Sequence, residues 1–129
     1  MPDGRPSAFS YAIVRVVPRV ERGEGFNAGV VLFCRQLDFL GARVALDQSR
    51  LAALAPELAP ASVLPHLEAI VKVAEGAPDA GPIAALPPSE RFGWLVAPAS
   101  TIIQCSPVHT GLSEDPRATL DQLFAELVS

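Results

Sequence analysis

Residues 102–116, IIQCSPVHTGLSEDP, hold a Cys, two Ser, a His, a Thr and two acids in one short stretch. These are the residue types of a nucleophilic site: Ser106 or Cys105 would attack, His109 would take the proton, and Asp115 would orient the imidazole. A triad needs its members to converge in space, and successive residues of a turn point in different directions unless the backbone is specially bent. No G-x-S-x-G elbow accompanies the serine. The competing assignment is structural, with Ser106, Thr110 and Ser113 bonding to local backbone, Pro107 and Gly111 setting turns, and His109 filling a polar gap. An anion at the N-terminus of a helix starting near residue 116 is electrostatically better founded, but Glu114 and Asp115 occupy that position and would repel it.

A second stretch, RVERGEGFNAG (19–29), places Gly23, Gly25 and Gly29 in a pattern near G-x-G-x-x-G. It has one residue too many and leads into a strand, whereas the dinucleotide fingerprint must open a helix so that the pyrophosphate meets its N-terminus. The Rossmann reading fails on both counts. Arg15, Arg19 and Arg22 beside Glu21, Glu24 and Asn27 form either an anion-binding cluster or internal ion pairs on a solvated loop. Arg pairs bidentately with carboxylate and phosphate alike, so residue type does not choose. His66 and His109 lie far apart and neither has a metal-ligand spacing, so no metal and no cofactor is expected.

The elements that must position these residues follow from periodicity. AFSYAIVRVV (8–17) alternates as a strand, with Tyr11, Ile13, Arg15 and Val17 on one face and Ala12, Val14 and Val16 on the other. PRVERGEGFN (18–27) breaks the pattern and predicts a long charged connection before a second strand over 28–34. A turn around 36–38 and a third strand up to Leu46 complete a meander. Asp47 is an N-cap for a short helix that Pro56 limits. The spacing predicts a helix over 62–75, capped by Ser62, with Pro65 in its first turn and Leu64, Leu67, Ile70, Val71 and Ala74 on one face before Gly76. Residues 76–88 read as a surface loop, and 89–97 as a short helix or irregular segment with Ser89 as cap and Phe92, Trp94 and Leu95 turned inward. A fourth strand is expected over 100–105. The last helix starts at Pro116 behind the Asp115 cap, with Leu120, Leu123, Phe124, Leu127 and Val128 as its apolar stripe.

Strands followed by helices with one apolar face each predict a single α+β domain over 1–129: a two-layer antiparallel sheet of about four strands packed against helices, with residues 1–7 a disordered tail. The 129 residues suffice for one core without staples. Net charge is −4, unlike the strongly basic domains that bind nucleic acid. The charge is nonetheless polarised: seven Arg against five acids over 1–50, three bases against nine acids over 51–129. The N-terminus lacks a signal-like apolar core and no stretch approaches the ~20 apolar residues that span a bilayer, so the expectation is a cytoplasmic protein. Cys34 and Cys105 fit no zinc or C-x-x-C spacing and read as packing residues.

With both stretches read in context, the chain resembles the bacterial domain of unknown function 3037 family over most of its length. The residues that carry the resemblance are Tyr11, Arg15, Arg22-Gly23-Glu24, Asn27, Gly29-Val30, Phe33, Arg91-Phe92, Trp94, Ala97-Pro98, Ser100 and Ser106 through Gly111. Ala99 stands where the pattern often has Arg. The resemblance implies no activity. Members are often encoded beside a HipA-type kinase-like protein, which implies an interaction or regulatory role with that protein as partner. Together the motifs raise an alternative, a small hydrolase-like or nucleotide-binding enzyme or an anionic-ligand binder. It would use Ser106 and His109 with Arg15, Arg22, Glu24, Asn27, Arg91 and Thr110 gathered at one end of the sheet. That convergence requires the loop after the first strand to lie within ~12 Å of the 106–111 turn, the reach of side chains bridged by water. Self-association through an exposed strand edge is the third reading.

Overall fold

The computed structural model describes residues 5–99 and 101–128. Alternation carries the first strand, β1, over Ser7–Arg19. Ala12, Val14 and Val16 are fully buried on one face, and Phe9 and Tyr11 pack on the other. The expected long connection over 18–27 is mostly strand: only a 3-10 turn, Val20–Arg22, and left-handed Gly23 (φ 69°) separate β1 from β2, Glu24–Cys34. The density of Gly and charge suggested a loop for a physical reason that turns out to be different. A side chain at Gly25 would run into the main chain of Val16, so this glycine marks close strand approach. Pro18 is tolerated close to the end of β1, where a missing N–H costs the ladder little.

A turn over 35–38 leads to β3, Phe39–Val44, completing the expected meander. Asp47 caps α1, Gln48–Leu54, accepting from the Arg50 N–H at 3.0 Å. The second helix, α2, spans Leu64–Glu75 and ends at left-handed Gly76, but Ser62 does not cap it. Ser62 closes a separate turn, Pro60–Ser62, and Val63 takes the N-cap position. In α3, Pro88–Val96, the cap position belongs to Pro87 rather than Ser89. Phe92 is buried, whereas Trp94 is 62% exposed and not turned inward. Two residues apart on a helix is nearly opposite, so burying Phe92 sends Trp94 out.

The expected strand over 100–105 is realised as β4, Ile103–Cys105; Ser100 lies outside the described residues. The chain then forms a strand where a turn was expected: β5, His109–Ser113. Asp115 caps α4, Pro116–Leu127, accepting from the Ala118 N–H at 3.2 Å.

The sheet order is β3-β2-β1, and β4 and β5 share the remaining edge of β1, with β5 opposite Ser7–Tyr11 and β4 opposite Val14–Val16. Ser7 is therefore buried strand, opposite Ser113, rather than the end of a tail; residues 1–4 lie outside the described residues. The architecture is the expected antiparallel α+β sheet in one domain, with five strands rather than about four. Its helices divide between the faces. Val14, Val16, Phe26 and Ala42 meet Leu51, Leu67 and Phe92 on one side, while Phe9, Val30, Leu32 and Cys34 meet Leu120 on the other. The cause is legible in β2, where Val30, Val31 and Leu32 are all fully buried; a strand apolar on both sides needs cover on both. The α4 helix lies over β2 and β3. Among the described residues no helix is long and apolar enough to cross a membrane.

Candidate functional site

The catalytic assignment depends on Ser106, and this serine is used by the sheet. Its N–H donates to the Ile13 carbonyl (2.8 Å), its Oγ accepts from the Ile13 N–H (2.9 Å), and the hydroxyl donates to the Pro107 carbonyl (2.9 Å). The side chain thus imitates a main-chain partner where the β1 pairing shifts register between β4 and β5. His109 is exposed, with its ring 5.3 Å from that of Tyr11, and Asp115 is spent on the α4 cap. Thr110 pairs with Ser10, on the face of β5 opposite His109. Cys105 donates to the Leu95 carbonyl (3.2 Å), and burial pushes its thiol up to about 11, away from the thiolate that a nucleophile needs. Cys105 and Ser106 line a groove of about 500 Å³ with Val96, Pro98, Pro107 and Val108. Both cysteines are free thiols.

The charged hairpin lies elsewhere. Ser106 meets Ile13, whereas Arg22 follows Arg19 at the far end of β1, roughly 20 Å away at ~3.3 Å per residue. The two motifs do not converge. Arg22 pairs with Glu24, and Arg19 with Glu57 at 3.0 Å. Hydrogen bonding to Glu57 holds the Arg19 guanidinium above its ordinary value. Carboxylates therefore already occupy Arg19 and Arg22 of the cluster that could have held an anion.

Arg91 is on the opposite side of the sheet from Arg15. Its guanidinium donates to the Leu86 carbonyl (2.8 Å) and the Ala74 carbonyl (3.4 Å), leaving Nε buried without a partner. It ties the last turn of α2 to the segment preceding α3, a favourable place for a cation near a helix C-terminus. Asn27 plays the corresponding role on the other face, donating to the Leu127 carbonyl at the end of α4 (3.0 Å).

What the fold does assemble is an open half-sheet. On the α4 side, Tyr11, Ile13 and Arg15 of β1 share a face with His109 of β5 and Gln104 of β4. Arg15 is half-buried, in register with Asn27 on one side and Gln104 on the other. Both neighbours' amides are anchored elsewhere, Gln104 donating to the Thr101 carbonyl at 3.0 Å and Asn27 to Leu127. The sequence placed Arg15 among apolar neighbours but had no means of adding Gln104, because only the β1–β4 register brings it there.

The edge of the same half-sheet is also open. The Ser106 N–H to Ile13 bond and the Val17 N–H to Ile102 bond (2.7 Å) show that odd-numbered residues of β1 face this edge. Alternation then makes Tyr11–His109 and Phe9–Gly111 the bonded pairs and turns the N–H and C=O groups of Thr110 and Leu112 outward. No further strand pairs with them among the described residues. Leu112 is 69% exposed and Val108 44%. A separate groove of about 420 Å³ runs beneath Trp94, lined by Leu86, Glu90, Gly93 and Ala97. Among the described residues no cluster of His, Cys, Asp and Glu could hold a metal.

The family model described as a protein of unknown function (DUF3037) matches residues 11–128, nearly the whole chain. No curated protein and no solved structure matches it significantly.

Proposed function

We propose that this chain, which belongs to the DUF3037 family, is a cytoplasmic protein-interaction or accessory module. The partner to try first is the HipA-type kinase-like protein that the family resemblance suggests. The single observation carrying this reading is the asymmetry of the sheet. One half is covered by helices on both faces; in the other, no strand among the described residues pairs with the outer edge of β5, beside exposed Leu112 and Val108. Open edges are usually guarded by charge, Pro or bulges, because they template pairing with another chain, and β5 carries no Pro and no acidic or Arg/Lys side chain. The alternative, a small hydrolase-like or nucleotide-binding enzyme, needs Ser106, His109 and the Arg22 hairpin to meet, and the Ile13–Arg19 half of β1 lies between Ser106 and that hairpin.

Native mass spectrometry of the tagged chain recovered from its host tests the proposal. A stoichiometric second polypeptide, retained by Ser106→Ala and His109→Ala variants, is the expected result. A chain that emerges alone, or holding only an anionic small molecule, overturns it.

A further inference from the structure

Arg15 differs from the other arginines whose contacts are described. Arg19, Arg22, Arg43 and Arg50 each hold a carboxylate; Arg91 holds main-chain carbonyls; Arg35 and Arg117 lie over the Phe33 and Phe39 rings at 5.6 and 5.0 Å. Arg15 has no carboxylate, carbonyl or ring partner among the described residues. It is nevertheless half-buried in the middle of a strand, where a cation loses hydration without gaining an acceptor. Its cross-strand neighbours, Asn27 and Gln104, are neutral. The carboxylates of α4 whose contacts are described are engaged elsewhere: Asp121 with Arg43 and Glu126 with Gln122.

We propose that this face of β1, β4 and β5 docks an acidic segment of a partner protein, with a partner Asp or Glu pairing to the Arg15 guanidinium while apolar partner side chains cover Ile13 and Tyr11. The proposal rests on the interaction-module reading and names the surface and the partner's chemistry. Charge complementarity selects the occupant: a cation without a carboxylate partner among the described residues, on the part of the face beyond the α4 cluster, favours a carboxylate, which Arg takes bidentately. Arg and Tyr are also the side-chain types in which interface binding energy concentrates. The apolar flank of Ile13 and Tyr11 excludes water around the pair, and exposed His109 adds a donor at one end.

The test selects random twelve-residue peptides displayed on phage against the immobilised full-length chain. The expected winners carry Asp or Glu flanked by apolar residues. A synthetic winner should bind Arg15→Gln at least about tenfold more weakly than the parent, and Arg15→Lys should retain part of the affinity. Repeating the selection on Arg15→Glu should return Lys- or Arg-bearing sequences, a change that a merely structural role for Arg15 would not produce. Circular dichroism melts confirm that each variant folds; should Arg15→Glu fail to fold, Arg15→Gln and Arg15→Lys still decide the matter. Winners without acidic residues, or acidic winners that bind Arg15→Gln as tightly as the parent, overturn the proposal. Winners lost on Leu112→Ser or Trp94→Ala but kept on Arg15→Gln move the docking surface and leave the module reading standing. If no peptide is recovered above background and no second polypeptide co-purifies, both fall.

Discussion

The β2–β3 half of the sheet and the β1–β4–β5 half are built from similar side chains and finished differently. In the first, Val30, Val31 and Leu32 are fully buried between α4 on one face and the cluster of Leu67 and Phe92 on the other. In the second, α4 packs against the Phe9–Tyr11 end of β1, no strand among the described residues pairs with the outer edge of β5, and Arg15, Leu112 and His109 stand on or beside open surface. The buried core and the open surface are thus divided between the two flanks. Two of the residues whose types suggested chemistry, Ser106 and Asn27, join elements: Ser106 bonds β1 at Ile13, and Asn27 bonds the end of α4 at Leu127.

The division predicts where substitutions will be felt. Leu120→Ala, at the fully buried centre of the α4 contact, should cost about 2–5 kcal/mol in urea unfolding. A cost near zero would mean that α4 is not a structural cover. Alkaline titration probes the boundary between the halves, because Cys105 of β4 is held protonated up to about 11 against an ordinary value near 9. Above pH 9 the unfolded chain loses this proton while the folded chain keeps it. Stability should therefore fall as pH rises from about 9 to about 11, and that component should vanish in Cys105→Ala. An unchanged alkaline profile in the variant would contradict the burial of the thiol.

Asn27→Ala should cost about 1 kcal/mol, by removing the donor to the Leu127 carbonyl, and amide exchange at the end of α4 should quicken. Leu112→Ser, on the open flank, should leave stability within about 0.5 kcal/mol of the parent while weakening any partner contact along β5. A loss near that of Leu120→Ala would show that the edge is structurally covered after all.

Much of this framework is legible in the residues themselves. Alternation in β1, the Asp47 and Asp115 caps, Pro65 and Pro116 in first helical turns and Gly76 after α2 are local signals, set by one element's own geometry. The signals that misled are those decided by distant partners. Gly25 suggested a loop, yet its missing side chain lets β2 lie against Val16. PVHTGLS reads as turn chemistry, but Ser7–Tyr11 supplies the ladder that makes His109–Ser113 a strand. Trp94 reads as turned inward with Phe92 and Leu95, and the helical phase set by Phe92 turns it out. For the candidate site, the face of Arg15 was readable from alternation, whereas the distance between the Arg22 and Ser106 motifs depended on how far β1 runs. The stretch of β1 from Ile13, where Ser106 bonds, to Arg19 separates them.

The central claim is that the open half of the sheet is the working surface. Hydrogen exchange of the chain alone and in complex with its co-purified partner tests it most directly. The account predicts new protection over residues 9–15 and 103–113, with α2 and β3 unchanged. Protection confined to α2, β3 or the Arg19–Glu24 hairpin, with the β1–β4–β5 face exchanging as in the free chain, would contradict it.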